Sequence, residues 1–186
     1  IPMIEQRGFQ TRLLTTDYRE MLSELPQLEK ILKEEKNKKH VILIDSYQVS
    51  TAYYKALSKL GYVACLEDMG EPYPVDLLIN YNIYGEKLAI KYQTDSEKKP
   101  QKTLLGVSYM PLRQEFLSDI DYSLKEKVTD VMITTGGSDP FFAANAFVEA
   151  FLTDESLQKE NIRYHIISGP FNSHAADMKR LYAEND

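Results

Sequence analysis

Two sets of residues in this chain have the types and spacing to do chemistry. The first is Val131-Met-Ile-Thr-Thr-Gly-Gly-Ser-Asp-Pro140. Its apolar, β-branched start predicts a buried strand over 131–135. Gly136 and Gly137 then allow a sharp turn and a close approach of ligand to backbone. Asp139 suits a helix N-cap, Pro140 suits the first helical position, and helix-compatible residues run on to Leu152. Strand, glycine turn and helix start together make a natural anion site, because unpaired N–H groups point at whatever sits there. The same pattern also describes an ordinary strand-to-helix turn, and two adjacent glycines alone do not separate the two readings.

The second set is a series of polar groups at successive strand ends. Asp45 follows the apolar run Val41-Ile-Leu-Ile44, with Tyr47 two residues on. Glu67-Asp68 follows Tyr62-Val-Ala-Cys-Leu66, and Asn80-Tyr-Asn82 with Tyr84 follows Leu77-Leu-Ile79. Each alone fits capping or turn chemistry. In an open α/β sheet, however, ligands bind beyond the carboxyl ends of the strands. Three strands delivering carboxylates, amides and phenols to one edge point to a polar, hydroxyl-rich ligand such as a sugar. No histidine stands near these carboxylates in the sequence. His40, His165 and His174 are scattered, and a lone His174-x-x-Asp177 pair is weak as a metal signal.

The elements that must position these groups alternate along the chain. Continuous apolar runs predict strands at 41–44, 62–66, 77–79, 104–107, 131–135 and 164–167, buried in a parallel sheet. Helix patterns lie at 17–35, where Pro26 is a potential break, and at 50–60, with Ser50 as cap and Gly61 as stop. Shorter ones lie at 83–92 and 112–117, and two more at 141–152 and 174–183. Residues 94–102 are polar and predict a surface loop. Regular alternation predicts an α/β fold with helices on both faces of parallel sheets. Residues 119–130 look like a linker, after which the pattern restarts. The expectation is two units, 1–124 and 125–186.

Composition limits the function classes. The net charge of −6 over 186 residues argues against nonspecific nucleic-acid binding, which needs a basic face. No apolar run approaches the ~18 residues of a membrane span. Cys65 is the one cysteine, so no disulfide can form within the chain and no thiolate cluster is possible. These features suggest a cytoplasmic protein. The beginning, Ile1-Pro-Met-Ile-Glu-Gln-Arg-Gly-Phe9, reads as the end of a helix stopped at Gly8, with a strand over Phe9–Leu14. It shows no signal-peptide pattern, and the expectation is a chain cut at both ends.

Six segments in order carry a resemblance: Ile44-Asp-Ser-Tyr47, Leu66-Glu-Asp68, Asp76 to Asn82, Leu105 to Tyr109, Leu112 to Phe116 and Thr135 to Asp139. Together they resemble the UDP-sugar hydrolase of pseudaminic acid biosynthesis and the related spore-coat polysaccharide biosynthesis proteins, often described as glycosyltransferases. The likeness runs from about Glu5 to His174. It implies a two-domain GT-B fold: two Rossmann-like units with parallel sheets, both incomplete here, and a nucleotide-sugar cleft between them. It implies hydrolysis of a UDP-linked diacetamido-trideoxy hexose by water, with no metal and no cofactor. On the resemblance, Asp45 and Tyr47 match the active-site edge. Asn80, Asn82, Tyr109, Arg113 and Glu115 match sugar-side positions, and Gly136, Gly137, Ser138 and Asp139 match the diphosphate loop.

The chain departs from that pattern in lacking the Gly-His-x-x-Arg loop that carries the family's catalytic histidine, and the later Ser-rich nucleotide loop. The resemblance therefore implies a central piece that is itself inactive. Two other functions stay open at this stage: a glycosyltransferase of the same fold, and a nonenzymatic ligand-binding module. Free sugar and UDP released without an acceptor would separate the hydrolase from the transferase. No Gly-x-Gly-x-x-Gly follows a strand, which counts against a dinucleotide oxidoreductase.

Overall fold

In a computed structural model the chain is α/β and divides into two compact units, 1–118 and 119–186. The described residues are 2–34, 38–94, 97, 99–118, 123–158 and 161–183. The linker expected over 119–130 falls partly outside them, and β5 begins at its last residue.

Unit 1 carries an all-parallel sheet of β1 (Val41–Ile44), β2 (Tyr62–Leu66), β3 (Leu77–Asn80) and β4 (Lys102–Leu105), in the order β1-β2-β3-β4. Helix α1 is Pro2–Glu5, α2 is Leu25–Glu34, α3 is Thr51–Leu57 and α4 is Lys91–Thr94. Helix α3 starts at Ser50, whose hydroxyl accepts the Tyr53 N–H at 3.2 Å.

Strand order that follows chain order has a packing consequence. Parallel crossovers are right-handed, so connections that always step the same way fall on the same face of the sheet. The core obeys this. Ile42, Ile44, Val63, Cys65, Leu78 and Leu105, which share one face by register, pack with Tyr53, Tyr54 and Leu57 of α3 and with Tyr92 of α4. On the other face Val41 is 72% exposed and Leu43 58%. That other face is open at the edge strand β1, whereas Ala64, the partner of Leu43 on β2, is buried. Periodicity reveals how apolar a strand is, but not the order in which strands are laid side by side.

Other differences are local. Phe9–Leu14 is not a strand: among the described residues no neighbour pairs with it, and Phe9 and Leu13 are exposed. The helix expected over 17–35 is a 3-10 turn, Met21–Glu24, followed by α2. Pro26 sits in the first turn of α2, where its missing N–H costs nothing. The helices expected at 83–92 and 112–117 reduce to 3-10 turns over Gly85–Leu88 and Gln114–Phe116, plus α4.

Unit 2 is a parallel pair, β5 (Asp130–Thr134) and β6 (Arg163–Ile167), joined through α5 (Ala143–Thr153) and followed by α6 (Ala175–Ala183). Its core is small: Ala144, Val148 and Met178 are buried, with Leu152, Ile166 and Leu181 against them. Phe147 and Phe151 add aromatic contacts to Tyr164 at ring distances of 5.2 and 5.5 Å.

Candidate functional site

The carboxyl ends of β1, β2 and β3 converge on a shallow cavity in unit 1. Its walls include Asp45, Tyr47, Glu67, Asp68, Tyr73 and Tyr81. Asp45 leaves β1 at the residue after Ile44 and is exposed. Tyr47 is 73% exposed, and its hydroxyl donates to Asp68 Oδ2 at 2.8 Å. That hydrogen bond and the charge of Asp68 raise the Tyr47 phenol above its ordinary value, so it remains a donor at neutral pH. Tyr84 anchors the same turn by donating to the Asp68 carbonyl at 2.7 Å.

Beneath this edge lies a buried polar network. Glu67 Oε1 accepts the N–H groups of Met69 at 2.7 Å and Glu71 at 3.0 Å, folding the 67–71 turn around the carboxylate. Its Oε2 accepts from the Tyr92 hydroxyl at 2.5 Å, and that hydroxyl in turn accepts from Asn80 Nδ2 at 2.8 Å. Asn80 Oδ1 accepts both the backbone and side-chain N–H groups of Asn82, at 3.1 and 3.0 Å. Burial, then the hydrogen bond to Glu67, drives the Tyr92 phenol well above its ordinary value. The network ties the turns after β2 and β3 to α4 from below.

The sequence-derived residues therefore separate. Asp45 and Tyr47 meet at the cavity. Asn80, expected to touch substrate, is fully buried with its amide bound to Tyr92 and Asn82, so it positions the cavity from below. Asn82 sits half-buried beside it. Tyr109, Arg113 and Glu115 are exposed and off the cavity walls, and Arg113 lies over the Phe116 ring at 5.0 Å. Asp68, named with Glu67 at the end of β2, and Tyr81, within Asn80-Tyr-Asn82 after β3, join Asp45 and Tyr47 on the cavity walls. The signal for Asp68 was present in its place at the end of β2. Tyr92 left no such signal, because it is 25 residues from Glu67. Cys65 is buried, and burial pushes its thiol up to about 12, which favours the neutral thiol near neutrality.

In unit 2 the glycine turn follows β5 as expected, with Gly136 at φ 77°. The helix starts later than expected, at Ala143, because Asp139 and Phe142 take left-handed backbone at φ 46° and 55°. Asp139 is 3% exposed. Its two carboxylate oxygens accept the Ala143 and Ala144 N–H groups at 2.9 and 3.0 Å, so it caps α5 from within the loop. The donors left for an anion are those of the turn. Among the described residues, no protein acceptor meets the N–H groups of Gly136, Gly137 and Ser138.

Among the described residues no group of three or more His, Cys, Asp or Glu side chains could hold a metal ion, and no helix is long and apolar enough to cross a membrane. No protein-family model matches the chain, and no curated protein matches it significantly.

Proposed function

We propose that the protein is a nucleotide-sugar hydrolase, releasing UDP from a UDP-linked diacetamido-trideoxy hexose for surface or spore-coat polysaccharide synthesis in the cytoplasm. The cavity at the carboxyl edge of the larger sheet carries this reading. Asp45, Asp68, Tyr47 and Tyr81 offer carboxylates, a held phenol and aromatic surface, the groups that read sugar hydroxyls and ring faces. Among the described residues no lysine or arginine lines that cavity, which suits the uncharged sugar better than the diphosphate. The turn at Gly136–Ser138 has free N–H groups suited to the diphosphate oxygens.

In the proposed reaction water attacks the anomeric carbon as the bond to the diphosphate oxygen breaks. The electron pair leaves with UDP, and Asp45 takes the proton of the water. Tyr47, held by Asp68, donates to a sugar oxygen. Incubating the full-length protein with the UDP-sugar and no acceptor is expected to yield UDP and free sugar in equal amounts. Asp45→Asn should lower kcat by roughly 10²–10⁴-fold, the usual share of general-base help. UDP release only when an acceptor is added would make the protein a transferase. UDP binding with no turnover in either assay would make it a binding module.

A further inference from the structure

Four buried side-chain atoms in unit 2 have no hydrogen-bond partner among the described residues: Thr135 Oγ1, Asn145 Oδ1, Ser168 Oγ and Asn172 Nδ2. Buried polar groups are nearly always partnered, so orphans mark where a partner belongs. Thr135 follows β5, while Ser168 and Asn172 lie in the turn that follows β6. Asn172 is 8% exposed. Its Oδ1 accepts the His174 N–H at 2.9 Å, which fixes the amide orientation and leaves Nδ2 as a donor without an acceptor.

The two turns are packed as one body. A Cβ on Gly169 would lie 2.3 Å from the Gly136 carbonyl oxygen and 2.5 Å from that of Gly137. The Phe171 N–H donates to the Gly137 carbonyl at 2.9 Å. The atoms seeking partners here are chiefly donors: two hydroxyls, one amide and the turn N–H groups. A ligand that satisfies them brings several acceptor oxygens, as a phosphate does.

We propose that the turn Ser168–Asn172 is the second half of the anion site, with Asn172 Nδ2 and the Thr135 and Ser168 hydroxyls donating to a phosphate group of the ligand. This rests on the reading that Gly136–Ser138 holds a diphosphate. Because the side-chain donors are shielded from water, the ligand loads by parting the two turns, at the Phe171–Gly137 hydrogen bond.

The test is titration of the chain with inorganic pyrophosphate, followed by calorimetry and by amide shifts of 136–138 and 168–172. Asn172→Asp keeps the acceptor for His174 and the side-chain shape but replaces the donor with a negative charge. It is expected to weaken binding by about tenfold or more. Ser168→Ala, which removes only a hydroxyl, covers the case in which Asn172→Asp does not fold, and should weaken binding about threefold or more. Unchanged affinity in a folded Asn172→Asp or in Ser168→Ala overturns the proposal. If Gly137→Val still abolishes binding then, the glycine turn keeps its role alone. No pyrophosphate binding by the unaltered chain overturns both.

Discussion

The Tyr47 hydroxyl reaches Asp68 across an otherwise open cavity, on a ring that is mostly in solvent. Surface changes of this kind alter stability by roughly 0.5 kcal/mol or less. Tyr47→Phe in the full-length protein should therefore leave the melting temperature within a few degrees while lowering turnover. Equal turnover with lost stability would assign Tyr47 to packing. Tyr92 is the opposite case. Tyr92→Phe strips Glu67 of a donor and Asn80 of an acceptor in a fully buried site. Leaving such groups unsatisfied costs about 1–3 kcal/mol, more for the charged one. A urea titration should show that loss, and a smaller one would mean that water takes the place of the hydroxyl. At this scale the sequence was partly legible. Asp45 was visible because it follows an apolar run at a strand end. Asn80 was misplaced because a polar residue at such an end can turn inward, and its partner Tyr92 lies 12 positions away with no periodic link to it.

Strands were the most legible elements. Val41–Ile44 and Tyr62–Leu66 stand where their apolar, β-branched runs stand, although Val41 and Leu43 turn one face outward. The helix starts were less so. Pro140 suggested a start at the next residue, but Asp139 reaches four and five residues forward to its N–H partners, and the intervening residues form a turn. Asp139→Ala should cost about 1–2 kcal/mol through loss of that cap, read as a lower melting temperature of unit 2. Gly169→Ala should cost a comparable ~1–3 kcal/mol by overpacking the two turns. A wild-type melting temperature for Gly169→Ala would show that the turns separate freely. Phe9–Leu14 shows the limit of local pattern: a strand-like segment becomes a strand only where another strand offers a ladder.

For the molecule as a whole, the two units differ in how their cores are built. Unit 1 buries three tyrosines, Tyr53, Tyr54 and Tyr92, and burial is the largest cause lifting each phenol above 10.0. A group that holds its proton more tightly when folded stabilises the fold fully below its unfolded pKa. That contribution is lost as pH rises beyond it. The urea midpoint of unit 1 is thus expected to hold steady to about pH 9–10 and then fall, with tyrosinate absorbance appearing together with unfolding. Tyrosinate appearing in a folded chain near pH 10 would contradict the burial. The restart of the strand pattern, at β5, falls within the second unit, 119–186. The strand order of the larger sheet was not legible, because it is a long-range property that composition does not encode.

That strand order also governs how the sheet can be made. Each ladder in unit 1 joins a strand to the one just before it in the chain. A doubly wound sheet must keep its first strand waiting for partners on both sides. Here every new strand docks on the most recently finished one, and each closure spans a single crossover connection, the longest over 81–101. Emergence from the ribosome and assembly of the sheet can therefore proceed in the same direction.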